Sequence, residues 1–343
     1  MSTDLLVLIY DVNPLPWSST TTPYTFTTVT EQLLVYINTF HLLNKHNKFV
    51  MILCSHYQVK YIYPMHTANN NTHNHNEQLY DTDSKSTEPN DAFDNNNKDN
   101  KKNAMDDSDV NYMNIHHILK QQIYRFIAEQ HNDITSNSTH VESNTTLLSG
   151  ALSLAMCYIN KQRLQNNKIK SRIMCVMSSH DSNGQYVPVM NTVFEAQKLN
   201  VYIDSLILTH HIVQSNTNTH GNKKSIPASD SIVYDGNDSR LMQQASHITN
   251  GVYYRPLINN KSDTNTLLQY LYTMYLPDSI SRTQLILPTL TTVDYRASCF
   301  CHNQPIELAF VCPVCLAVWC KNMLQCQVCK TKFSAITRTA NKT

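Results

Sequence analysis

Apolar runs and amphipathic stretches alternate along this chain, and two long polar segments interrupt them. The first run, LLVLIYD at residues 5–11, stays apolar until its closing Asp, as a strand buried on both faces does. Next, Leu33, Tyr36, Ile37, Phe40 and Leu43 share one helical face, and Thr28-x-x-Glu31 reads as that helix's capping box. KFVMILCS (48–55) and YQVKYIYP (57–64) are strands, the second stopped by Pro64. Ile115, Ile118, Leu119, Ile123, Phe126 and Ile127 make an amphipathic helix, while LLSGALSLAMCYI (147–159), apolar nearly all round, predicts a buried one.

The alternation continues with a strand at RIMCVMSS (172–179), a helix at VPVMNTVFEAQKL (187–199) and a strand at VYIDSLILT (201–209). SRLMQQASHITNG (239–251) is a helix with Gly251 at its C′ position. GVYYRP gives a short last strand, and TLLQYLYTMYL (266–276) a closing helix. This order predicts an α/β domain over residues 1–277, doubly wound around a mostly parallel sheet with helices on both faces.

The polar segments, 67–111 and 214–231, are rich in Asn, Asp, His, Lys and Ser and have few large apolar residues. Such composition cannot bury enough surface to offset its ordering entropy, so both read as disordered inserts in surface loops. Each doubling of loop length costs only about 0.6 kcal/mol in closure entropy. His73 and His75, inside the first insert, read as solvated residues rather than ligands.

Charge narrows the functional classes. Across 343 residues, 27 basic and 26 acidic side chains leave a net charge of +1, no global drive towards nucleic acid or anionic membrane. The opening MSTDLLVLIYDV has only six apolar residues between Asp4 and Asp11 and no basic flank, so it is not a signal peptide. No apolar run approaches the ~20 residues that span a bilayer. The expectation is a soluble intracellular chain with reduced thiols. With five glycines, the phosphate-cradling patterns GxGxxG and GxxxxGK[ST] are absent, as is the GxSxG elbow. The pairs His116-His117 and His210-His211 lack the spacing of a triad. The sequence offers no catalytic constellation, and the chain reads as a non-enzyme.

Beyond the C-terminal ends of the strands, Asp11, Thr145 or Thr146, and Asp181 are oxygen ligands that could meet around Mg²⁺. Here the chain resembles a von Willebrand A domain, whose cation site takes Asp-x-Ser-x-Ser, then a Thr, then an Asp. In Asp11-Val12-Asn13-Pro14-Leu15 an amide replaces one hydroxyl and an alkyl group the other. Leu15 coordinates nothing, so Asp11 reads as a loop brace. A metal-dependent ligand-binding A domain is the alternative reading.

Ten cysteines occur, and seven lie in one C-terminal stretch: Cys299-x-Cys301-x10-Cys312-x2-Cys315-x4-Cys320-x5-Cys326-x2-Cys329. A CxxC turn sets two thiolates at the separation tetrahedral Zn²⁺ requires, and two such turns plus CxC point to structural zinc. So small a segment lacks the core to fold alone, and metal ligation would supply its stability. Two partitions stay open. One zinc could take Cys299, Cys301, Cys312 and Cys315, with Cys320, Cys326, Cys329 and His302 around a second. A single site could instead use both CxxC pairs, leaving Cys320 as a core thiol. Ile306, Leu308, Phe310, Val311, Leu316, Val318 and Trp319 between the ligands suit a docking module more than a basic finger. Lys321, Lys330, Lys332 and Arg338 are the charges a nucleic-acid reader would use, the third reading.

Four stretches carry a closer resemblance: DVNPLPW, QYVPVMNTVFEAQKLNVYID (185–204), LMQQASHITNGVYYRP (241–256) and the finger CFCH…CPVCL. Together they resemble the family of subunit three of the general transcription factor TFIIH, from residue 4 to about 333 with the inserts omitted. The resemblance implies a von Willebrand A-like domain (1–277), a linker (278–297), a zinc-finger module (298–335) and a tail (336–343). It further implies a nuclear, non-enzymatic subunit of the TFIIH core that binds TFIIH subunit two and serves nucleotide excision repair and RNA polymerase II initiation. In that family catalysis belongs to the helicase and kinase subunits.

Overall fold

The computed structural model describes residues 3–18, 24–63, 109–136, 145–208, 239–256, 266–288, 293–301 and 305–333. Both expected inserts therefore lie almost wholly outside the described residues, as do His73, His75, His210 and His211.

Six strands form one sheet in the order β3-β2-β1-β4-β5-β6. They are β1 (Asp4–Asp11), β2 (Lys48–Cys54), β3 (Val59–Tyr63), β4 (Lys170–Met177), β5 (Tyr202–Ile207) and β6 (Tyr253–Tyr254). All neighbours run parallel except β3, which is antiparallel to β2 at one edge. Strand β1 shows why its sequence is continuously apolar. Leu6, Leu8 and Tyr10 enter the core on one face and Leu5, Val7 and Ile9 the core on the other, all fully buried. The first core is closed by α2 (Phe26–Leu43), α3 (Asp109–Ser136) and α7 (Thr266–Tyr270), the last continued by a π-helical turn at Leu271–Tyr275. The second is closed by α4 (Leu148–Gln165), α5 (Tyr186–Lys198) and α6 (Arg240–Ile248). This is the doubly wound, von Willebrand A-like α/β fold expected from the sequence.

Helix ends depart from expectation in informative ways. The cap of α2 is Thr25, whose hydroxyl accepts the Thr28 N–H, so Thr28 lies inside the helix. Leu43 ends that helix exposed. A short helix, α1 (Pro14–Trp17), stands where a loop was expected, and Pro14 suits its first turn.

Helices α5 and α6 close with the same C-terminal motif, although the left-handed residue in each is Asn rather than Gly. After α5, Asn200 has φ 50° and its N–H reaches the Gln197 carbonyl, while Val201 N–H reaches Ala196. After α6, Asn250 has φ 56° and binds His247, while Gly251 N–H binds Ser246. Gly251 thus sits one place past the expected C′ position. It is needed for a different reason: a Cβ there would lie 2.0 Å from the Ile203 carbonyl oxygen.

Polar residues lock the N-terminal end of the sheet. Arg172, buried at the start of β4, donates to the carbonyls of Tyr275, Leu276 and Pro277, satisfying the last turn of the closing helix with a cation. The chain then forms α8 (Ser279–Gln284), capped by Asp278, within the segment expected as a linker. Among the described residues no helix is long and apolar enough to cross a membrane.

Candidate metal centre and the front of the sheet

The C-terminal module is built on two turns of the same conformation. In Cys312-Pro-Val-Cys315-Leu316 and Cys326-Gln-Val-Cys329-Lys330, the residue after the second cysteine adopts positive φ, 59° at Leu316 and 62° at Lys330. Each of those N–H groups returns to the first cysteine's carbonyl, at 2.9 and 3.0 Å. The first cysteine's own N–H closes the loop on Ala317 in one turn and Thr331 in the other. A two-stranded ribbon, β7 (Phe310–Val311) against β8 (Val318–Trp319), carries the first turn.

These turns bring the seven thiols into two groups. Cys312, Cys315, Cys326 and Cys329 form one, and Cys299, Cys301 and Cys320 the other. In the first, Sγ atoms face each other at 3.6 Å in the pairs Cys312–Cys329 and Cys315–Cys326. A tetrahedron of ~2.3 Å metal–sulfur bonds has sulfurs about 3.8 Å apart, so four thiolates could hold one ion there. The second group has Cys299–Cys301 at 3.0 Å and Cys301–Cys320 at 3.5 Å. None of the seven is in a disulfide. Both CxxC pairs therefore share one group, as in the second expected partition. Cys320 is exposed beside the CxC pair rather than a core thiol. His302 lies outside the described residues.

In each group the surroundings favour the thiolate at some cysteines and the thiol at another. Burial pushes Cys299 up, but hydrogen bonds from Cys301 and Cys320 outweigh it and hold the thiol down at about 6. Hydrogen bonds from Thr331 likewise hold Cys329 at about 6. The opposite shift falls on a neighbour in each group: Cys301 is pushed up to about 11 by its contacts with Cys299 and Cys320, and burial pushes Cys315 up to about 12. Apart from the sulfurs, the module's core amounts to Ala317, Trp319, Phe300, Met323 and Phe333. That is little apolar volume to fold around without a cross-link.

The module rests on the front of the sheet. Asn183 donates its amide to the Cys299 carbonyl at 3.0 Å, and Arg240, at the start of α6, reaches the Ser298 hydroxyl at 3.0 Å. Lower on the same helix, Gln244 donates to the Asp294 carbonyl and His247 meets the Tyr295 hydroxyl. Residues 294–299 thus run antiparallel to α6, and Cys299 is the first thiol at the top.

The oxygen ligands considered from sequence have other tasks. Asp11, fully buried at the end of β1, accepts N–H bonds from Asn13 (3.0 Å), Ser178 (3.0 Å) and Ser179 (2.7 Å). Burial pushes its carboxyl up, and those donors pull against it. Asn13 extends the brace to Ser179 and the Thr145 carbonyl, and Trp17 donates to the Asp11 carbonyl. The Thr146 carbonyl accepts from Gln185. Asp181 accepts the Ser239 hydroxyl (2.6 Å) and Leu241 N–H (3.0 Å), fastening the loop after β4 to the start of α6. Leu15 stands in α1. Among the described residues, only thiols gather in groups of three or more that could share an ion.

Fold and site together define a von Willebrand A-like domain with braced front loops, carrying a small cysteine module. The chain belongs to the family described as transcription factor Tfb4, whose model matches residues 3–222 and 209–330. It is 37% identical over 202 residues to General transcription factor IIH subunit 3 of Dictyostelium discoideum, covering 59% of this chain but 45% of that protein. With General transcription and DNA repair factor IIH subunit TFB4 of Arabidopsis thaliana it shares 31% identity over 330 residues, 96% of this chain and 88% of that one. Among solved structures, the TFIIH p34 N-terminal domain superposes with a TM-score of 0.51 at 20% identity, over 80% of this chain and 97% of that domain. At that identity the likeness speaks for the fold alone.

Proposed function

We propose that this chain is a non-enzymatic structural subunit of the TFIIH core complex, acting in the nucleus in transcription initiation by RNA polymerase II and in nucleotide excision repair. Its chief partner on this reading is TFIIH subunit two. The observation that carries the proposal is family membership along nearly the whole chain, joined to relatives named as TFIIH transcription and DNA repair subunits. The site chemistry supports it. The Asp11 carboxylate is spent on three backbone N–H groups, which suits a brace rather than a cation-dependent ligand site.

Zn²⁺ is the ion this reading assigns to the cysteines. Cys312, Cys315, Cys326 and Cys329 would close one tetrahedron, and Cys299, Cys301 and Cys320 would contribute to a second centre. Thiolate softness and 3.6 Å sulfur spacing fit zinc, and a site filled by four protein ligands leaves no position for water or catalysis. The domain division into residues 1–277 and 298–335 belongs to the same proposal, with the hydrogen bonds of Asn183 and Arg240 joining the two parts.

Affinity purification of the full-length chain from its own nuclei tests the assignment. TFIIH subunits, with subunit two at equal stoichiometry, are expected to co-elute. Recovery of the chain free of them, or its exclusion from nuclei, contradicts the assignment.

A further inference from the structure

The end of the domain opposite the cysteine module carries a charged cavity that the scaffold role leaves without an occupant. It has a volume of about 400 Å³ and lies between the α4–β4 turn, the start of β5 and α8. Arg163, Lys168, Lys170, Arg172 and Arg282 line it, against a single carboxylate, Asp4. Arg282 is matched by Asp204, which stands behind the wall. Arg172, Arg163 and Lys170 bond to neutral oxygens of Tyr275, Leu199 and Ser279, and the nearby carboxylates Asp4 and Asp278 offset only part of the remaining positive charge. In a chain of net charge +1, this cavity therefore concentrates positive potential.

On the other flank of α8 lies a second groove, of about 600 Å³, sharing Asp4 and Arg172 with the first. Its wall sets apolar Phe40, Leu43, Tyr272, Leu276 and Leu285 among polar neighbours that include a second carboxylate, Asp278. Leu43 and Leu285 are exposed, as are Ile280 and Ile286 on and after α8. Basic and apolar recognition thus sit side by side across one short helix.

We infer that this end of the domain docks an acidic protein segment carrying large apolar side chains, its carboxylates in the basic cavity and its apolar residues in the groove along α8. Charge complementarity selects the acidic residues, and the adjoining apolar wall selects a peptide over a uniformly polar phosphodiester chain. The inference rests on neither the cysteine groups nor the partner proposed above.

The test uses the full-length chain and a fluorescein-labelled peptide alternating Asp and Leu, read by anisotropy. Two competitors are compared: the same peptide with every Leu replaced by Ser, and single-stranded oligothymidylate. The variants are Lys168→Glu alone, Lys168→Glu with Lys170→Glu, and Leu285→Asp, all at exposed positions whose folding is checked by thermal midpoint. Saturable binding is expected. The double charge reversal and Leu285→Asp should each weaken it by roughly tenfold or more, with Lys168→Glu intermediate. Both competitors should bind at least about tenfold more weakly than the parent peptide. Absence of saturable binding, binding unchanged in the folded variants, or oligothymidylate binding as tightly as the peptide would each overturn the inference.

Discussion

Arg282 and Asp204, 78 residues apart, form a two-pronged ion pair beneath the sheet, with nitrogen–oxygen distances of 2.8 and 2.6 Å. Asp204 is 1% exposed and Arg282 11%. Asp204 also accepts the Val252 N–H, so one carboxylate ties β5 to the strand beside it and to α8. The segment after the A-like domain is thereby fixed at the N-terminal end of the sheet before the chain climbs along α6 to the cysteines.

Truncating one member of such a pair strands the other charge in the interior. Arg282→Ala should destabilise the full-length protein by about 3–5 kcal/mol, read from urea unfolding midpoints. Arg282→Lys, which keeps the charge but loses the fork, should fall in between. A loss below about 1 kcal/mol for the alanine variant would show that the pair does not hold α8 in place.

Asp278 caps α8 by accepting the Ser281 N–H at 2.9 Å, and hydrogen bonds from the Ser281 hydroxyl and N–H together hold its carboxyl below the ordinary value. A depressed folded-state value contributes stability above the unfolded-state pKa and loses it as pH falls through the folded one. Asp278→Ala should therefore cost about 1 kcal/mol near neutral pH, and the difference from the parent should vanish in acid. A pH-independent difference would assign the effect to packing.

Gly251 and Asn250 make a paired test of the α6 terminus. Gly251→Ala pushes a methyl into the Ile203 backbone and should cost roughly 3 kcal/mol or more. Asn250→Gly, at the left-handed position, should be tolerated within about 0.5 kcal/mol. Equal costs for the two would contradict the assignment of close approach to one and left-handed φ to the other.

Removing the Asp11 carboxylate leaves three buried N–H donors without their acceptor. Asp11→Ala should lower stability by about 3 kcal/mol or more, and Mg²⁺ should shift the thermal midpoint of neither form. A Mg²⁺-dependent rise in the parent, lost in the variant, would restore the cation-site reading.

Element order and most strands were legible because buried parallel strands and amphipathic helices impose strong periods. Strand β1 is the clearest case, since burial on both faces leaves no polar position until Asp11. Short elements held by long-range contacts were not legible. Helix α8 has no buried residue of its own and owes its position to Arg282 and Arg172, whose partners lie far along the chain. Asp204 drew no reading of its own, and the signal that could have flagged it is a single charged residue within the otherwise uncharged stretch VYIDSLILT. Cysteine spacing marked the module, but not how its thiols divide, because the twin turns are set by left-handed Leu316 and Lys330 rather than by distance along the chain.

Zinc analysis of the purified full-length chain, comparing Cys326→Ser, Cys301→Ser and the double variant, tests the central claim most directly. If the two thiol groups hold separate ions, each single variant loses a different one and the double variant loses both. Cys326→Ser should also unfold the C-terminal module, seen as proteolysis near residue 300, since structural zinc in small domains supplies roughly 10–16 kcal/mol of folding free energy. A parent chain without zinc, or both single variants removing the same ion, would contradict the account.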